Sequence, residues 1–202
     1  MDVRKLLLLL LFALGLTACA EMQVKRDLQH AEDAARYQAA VAKPAAYAAT
    51  ENCAAAPALN AWQEMEFTST TTIYKINDKI NAAAYCFKIP PGSRSLEILS
   101  SSRGGMTYYE LTLAHPSLLF VGGSGETVSD FQKPNLHAGE GIFRGLGLSG
   151  IVVLTTDLSV AKQVVVYVHP LSLKGAIDVQ TGFQSIPVPY SPYGNVRIKF
   201  RP

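Results

Sequence analysis

Apolar residues along this chain follow three successive patterns, and each predicts a different kind of element. Leu6 to Leu16 is an apolar run preceded by Arg4 and Lys5. Between Ala20 and about Ala49 the apolar positions thin out to Val24, Leu28, Ala31, Ala35 and Ala42, and their steps of three, four and seven residues mark one helix face. A stripe made mostly of alanine buries little area. The expected element is therefore a solvated helix that holds a following domain away from a surface, broken at Pro44. A coiled-coil oligomerisation arm is the alternative, although most seam positions lack the Leu or Ile such arms prefer. A poorly ordered linker through Ala54-Ala55-Ala56-Pro57 is expected next.

After Trp62 the period changes to two. Short runs rich in β-formers alternate with Gly, Pro, Ser and Asn, the grammar of an antiparallel sandwich and not of alternating strands and helices. Candidate strands are Glu66 to Ile76, Ala82 to Ile89, Ser95 to Leu99, Thr107 to Ala114, Leu118 to Val121, Gly141 to Leu148, Ile151 to Thr156, Gln163 to His169 and Asn195 to Arg201. In the last, Val196, Ile198 and Phe200 should face the core while Arg197, Lys199 and Arg201 face water. Val164 to Val168 is apolar throughout, which predicts a central strand covered on both faces. Gly122-Gly123-Ser124-Gly125 and Pro187-Val188-Pro189 read as turns or edge segments, and a short helix is expected near Leu171 to Ile177. The fold class is all-β, an antiparallel β-sandwich of about 8 to 9 strands preceded by an N-terminal helical tether. The expected divisions are residues 1–18, 19–61 and 62–202.

The N-terminal run gains meaning from its length and from the residues at its end. About eleven apolar residues are too few to span a bilayer core of roughly 30 Å as a helix, yet they suit the h-region of a secretory signal. They end in Leu16-Thr17-Ala18-Cys19, the lipobox spacing at which a bacterial signal peptide is removed and the cysteine acylated. Cys19 is the expected lipidation site, and two or more acyl chains anchor a protein stably in a lipid bilayer. Ala20 stands where Asp would favour retention in the inner membrane, so the expected location is the outer membrane, lipid-anchored on its periplasmic face.

Removal of the signal leaves about 184 residues, enough for one domain with a real core. Lys and Arg total 18 against 16 Asp and Glu, with no basic cluster and no basic stripe interleaved with aromatics, so nucleic acid is not an expected partner. Cys53 and Cys86 are the cysteines besides Cys19, and in an oxidising periplasm they read as a disulfide, with two separately buried thiols as the alternative.

Motifs for chemistry are sparse. Ser159-Val160-Ala161-Lys162 has the S-x-x-K form of penicillin-binding enzymes but lacks the companion Ser/Asn and K-T-G motifs, so a turn is the better reading. His30, His115, His137 and His169 lie far apart without metal-ligand spacing. No catalytic residue, metal site or cofactor is expected. Trp62, Tyr108, Tyr109, Tyr190 and Tyr193 are candidates for stacking on a sugar, with Tyr108, Tyr190 and Tyr193 as the candidate carbohydrate-binding residues. Ordinary core and rim packing is the competing reading.

Several stretches resemble the maltose-operon periplasmic protein family (MalM-like proteins). They are Tyr85-Cys86-Phe87-Lys88-Ile89-Pro90, Leu96-Glu97-Ile98, Pro116 through Val121, Val164 to Tyr167, and above all Ile186-Pro187-Val188-Pro189 with Ser191-Pro192-Tyr193-Gly194 and the final strand. Val188 replaces the family's Asp in an I-P-D-P turn, and the lipobox departs from the non-lipidated type member. The resemblance implies a non-catalytic accessory protein of the periplasm, acting beside an outer-membrane porin or a carbohydrate uptake system. A carbohydrate-binding module taking an oligosaccharide and an unrecognised cell-envelope enzyme are the alternatives.

Overall fold

The computed structural model describes residues 3–103, 110–131, 134, 136–139, 147–153, 159–180 and 185–202. A long helix α1 (Val3–Val41) precedes strands β1 (Gln63–Phe67), β2 (Ile73–Asn77), β3 (Ile80–Lys88), β4 (Ser95–Arg103), β5 (Thr112–Ala114), β6 (Pro116–Val121), β7 (Thr127–Phe131), β8 (His137–Gly139), β9 (Gly147–Val153), β10 (Gln163–Val168), β11 (Ala176–Gln180), β12 (Ser185–Ser191) and β13 (Gly194–Arg201). One sheet runs β1-β13-β4-β5-β12-β11, with β9 also beside β4 and β8 beyond β9. The other runs β2-β3-β10-β6-β7. Neighbours are antiparallel except β5 and β12, which pair in parallel through Tyr190 and Ser191. This is the expected all-β sandwich with a helical N-terminus.

Two strands follow their sequence patterns closely. β13 lies between β1 and β4, and Val196, Ile198 and Phe200 are fully buried between the sheets, as alternation requires. β10 lies between β3 and β6. Its Val164, Val166 and Val168 enter the inter-sheet core while Val165 and Tyr167 join a second cluster on the opposite face, which is why every position from 164 to 168 had to be apolar.

The strand count is higher than expected because several strands are too short to carry a period. The segment Glu66 to Ile76 is broken into β1 and β2 by a turn in which Thr71 Oγ1 accepts from the Thr68 N–H at 2.8 Å. β7, β8 and β11 span five, three and five residues. Pro187-Val188-Pro189, expected as a turn or an edge segment, lies in β12, which pairs with β11 from Ser185 to Pro189 and with β5 only at Tyr190 and Ser191. Prolines fit there because the Pro187 carbonyl points away from β11, toward α1, where Arg26 Nη1 donates to it at 3.0 Å. The missing Pro187 N–H, and by the two-residue period that of Pro189, is therefore on a side that needs no ladder donor. Val188 is fully buried with Leu111, Leu113 and Val179. In place of the helix expected over Leu171 to Ile177, a 3₁₀ turn spans Pro170–Lys174 and β11 begins at Ala176.

The linker after α1 is fixed to the sandwich. Ala48 bridges to Lys75 and Ala54 to Phe87, and a disulfide joins Cys53 to Cys86 on β3, 33 residues away. Closing a loop of that length stabilises the fold by roughly 3 to 4 kcal/mol in the chain-entropy account.

The helix corrects the expectation of a solvated tether. Its apolar stripe points outward: Val24 and Leu28 are 59% and 63% exposed, and Ala31, Ala35 and Ala42 are exposed too. The face laid on the sandwich holds Arg26, His30, Ala34, Tyr37 and Val41, with Arg26, Tyr37 and Val41 buried. It binds largely by donating to backbone carbonyls. Arg26 reaches Pro187, His30 Nε2 donates to Tyr190 at 2.7 Å, the Tyr37 hydroxyl donates to Val168 at 2.6 Å, and Gln38 donates to Pro170 at 3.0 Å. Tyr37 also accepts from the Ala83 N–H at 3.0 Å, so α1 ties β12 of one sheet to β3 and β10 of the other.

Candidate functional site

Docking of α1 closes a cleft of about 330 Å³ against the sandwich, lined by Gln29, His30, Asp33, Arg36, Thr68, Ser69, Arg103, Thr112 and Tyr193. Successive turns of α1 supply the first four. The turn after β1 supplies Thr68 and Ser69, β4 ends in Arg103, and Tyr193 comes from the link between β12 and β13. That link is tight. Ser191 Oγ accepts from the Tyr193 N–H at 3.1 Å, and Gly194 follows at φ +153°, where an added Cβ would fall 3.2 Å from the Ala114 Cβ. Glycine is thus required to turn the chain into β13 beside β5.

Tyr193 is 6% exposed. Burial pushes its hydroxyl pKa up, Asp33 pushes it further up, and Arg36 and Arg103 pull it back, so two charges of α1 and one at the end of β4 act on this one group. Asp33 accepts from Gln29 Nε2 at 3.1 Å, and Arg36 makes a loose 3.6 Å pair with Glu32. Arg103 makes no ion pair among the described residues. Two guanidinium groups and a phenol around a small cleft present donors to an oxyanion, and Asp33 adds an acceptor for a hydroxyl. Among the described residues no group of three or more His, Cys, Asp or Glu is placed to hold a metal.

Of the residues expected to stack on sugar, Tyr193 reaches this cleft but is buried and presents no open ring. Tyr190 is half-buried, its ring centre 4.6 Å from that of His115 and so close to Gly175 that a Cβ there would lie 2.9 Å from the ring. Tyr108 and Tyr109 lie outside the described residues. Trp62 is 37% exposed, but Lys199 Nζ covers it at 4.1 Å from the ring centre. Arg36 and Arg103 carried no signal in the sequence. They stand 67 residues from each other along the chain, and only the docking of α1 brings them to one place.

Ser159 lies in a turn, as expected. Gly122 to Gly125 form the turn from β6 to β7, closed by the Glu126 carboxylate, which accepts from Ser124 Oγ at 2.6 Å. Cys19 lies within α1, seven residues before Arg26, the first of the helix's described side chains fixed to β12. No helix of the described residues is long and apolar enough to cross a membrane. No protein family model and no curated protein matches the chain.

Proposed function

We propose that this is a lipoprotein of the bacterial outer membrane, anchored through acylated Cys19 with its sandwich in the periplasm. There it acts as a non-catalytic accessory protein that binds or organises another envelope protein, such as a porin or a component of carbohydrate uptake. The lipobox Leu16-Thr17-Ala18-Cys19 carries the reading, and the resemblance to maltose-operon periplasmic proteins agrees with it. Geometry sharpens it. Arg26 follows Cys19 by seven positions of the helix, about 10 Å at 1.5 Å per residue. An anchor at Cys19 therefore places the sandwich against the headgroups, within reach of a partner embedded in the same membrane. Cys19→Ala tests this by fractionation: the variant is expected to leave the outer-membrane fraction and to keep its signal segment. Normal maturation and flotation with the outer membrane would overturn the reading.

The cleft under α1 favours a second reading, carbohydrate binding, with the sugar held by polar donors instead of exposed rings. Arg36 and Arg103 favour an acidic oligosaccharide over a neutral one. Arg103→Gln is expected to weaken binding of an oligogalacturonate about tenfold, the cost of one charge-assisted hydrogen bond, with no change in melting temperature. Calorimetric titration that finds equal affinity for oligogalacturonate and maltodextrin, or for neither, would remove it.

A further inference from the structure

We infer that the outward stripe of α1 is the pairing surface for a second copy of this chain, the two helices running antiparallel. The inference does not depend on acylation of Cys19.

Val24 and Leu28 stand one turn apart and are each about three-fifths exposed, although the same helix has a buried face available to it. Successive residues turn by about 100° around a helix axis. On that count Val24, Leu28, Ala31 and Ala35 fall within about 60° of one another and point almost directly away from the face carrying Arg26, His30 and Tyr37. The sandwich therefore leaves the stripe unobstructed. Its steps of four, three and four residues are those of a heptad seam, and its alanines let two helix backbones approach closely.

Register and direction are set by size and charge. When two such helices run antiparallel with Leu28 against Ala31 of the second copy, Val24 falls against Ala35 of that copy. Each large side chain then meets a small one. The same register sets Lys25 of each copy beside Glu32 of the other, twice over by symmetry. Lys25 makes no ion pair among the described residues, and Glu32 has only its loose contact with Arg36. A parallel pair would instead oppose Asp27 to Glu32, like charges at flanking positions. A bilayer surface is the weaker occupant, because Glu21, Asp27, Glu32 and Asp33 outnumber Lys25, Arg26 and Arg36 along this part of α1 and leave no cationic excess for anionic headgroups.

Sedimentation equilibrium of the full chain in detergent tests the pair. The wild-type protein is expected to be a dimer. Lys25→Glu and Glu32→Lys should each raise the dissociation constant about tenfold, since each turns two attractions into two repulsions. The double exchange should restore it. Leu28→Asp should abolish pairing, with a melting temperature for the diluted monomer unchanged from wild type because the position is exposed. A monomeric wild type, an indifferent Lys25→Glu, or tightening by Glu32→Lys (the mark of a parallel pair) would overturn the inference. So would a Leu28→Asp protein that stays dimeric and loses only its binding to vesicles of phosphatidylethanolamine and phosphatidylglycerol.

Discussion

Tyr37→Ala is expected to destabilise the protein by about 3 to 5 kcal/mol, the usual range for truncating a buried aromatic side chain, and to release α1 from the sandwich. Tyr37 is 2% exposed and belongs to the inter-sheet core. Its hydroxyl is bonded on both sides, to the Val168 carbonyl and the Ala83 N–H. Tyr37→Phe separates the two contributions. The ring stays, but a buried carbonyl and a buried N–H each lose a partner, which costs roughly 1 to 3 kcal/mol. Thermal melts of the two variants give the magnitudes, and hydrogen exchange of residues 26–41 shows whether the helix has come away. Burial pushes the Tyr37 hydroxyl pKa far above its ordinary value, with the Ala83 hydrogen bond opposing. A raised pKa means that this contribution is complete below about pH 10 and is lost only as pH rises beyond it. Loss of docking at neutral pH in the wild-type protein would contradict the assignment.

Phe200→Ala should cost a similar 3 to 5 kcal/mol, since Phe200 is fully buried between the sheets. At 2 to 4 °C per kcal/mol for a chain of this size, its melting temperature should fall by roughly 10 °C. Its neighbour is the informative control. Alternation puts Lys199 on the water side, where replacement usually costs within about 0.5 kcal/mol. The structure covers it: its side chain is 12% exposed and pairs with Glu97 at 2.9 Å, and its ammonium lies over Trp62. Lys199→Ala is therefore expected to cost roughly 1 to 2 kcal/mol, the sum of a cation–π contact and a partly covered ion pair. Burial raises the Glu97 pKa, but hydrogen bonds from Lys199 and Arg201 outweigh it and hold the carboxyl below its ordinary range. A depressed pKa means that this network stabilises the fold above the ordinary glutamate pKa of about 4.3 and fails as pH falls through the lower folded value. Equal melting temperatures for Phe200→Ala and Lys199→Ala would show that the register of β13 is wrong.

Legibility followed the range of the interaction. The β13 alternation and the apolar β10 run are properties of five to eight adjacent residues, and one sheet face or two can be read from them directly. The Cys53 to Cys86 disulfide was one of two readings of the remaining cysteine pair, since sequence does not show whether two thiols meet or are buried apart. Short strands such as β8 offer too few residues for a period. The prolines of β12 left it open between a turn and an edge segment, because their tolerance depends on which side of the strand has a hydrogen-bonding neighbour.

The sequence alone determined the sandwich class, its central strand, the core face of its last strand and the candidate anchor at Cys19, because each rests on local spacing or on residue type. Tertiary structure decided which side of α1 is inside and, with it, the cleft that joins Arg36, Arg103 and Tyr193. Hydrophobic periodicity assumes that a helix docks on an apolar surface. Much of the surface here is a set of backbone carbonyls at Pro187, Tyr190, Val168 and Pro170, so the favoured face carries donors such as Arg26, His30, Tyr37 and Gln38, and the apolar stripe is left facing outward.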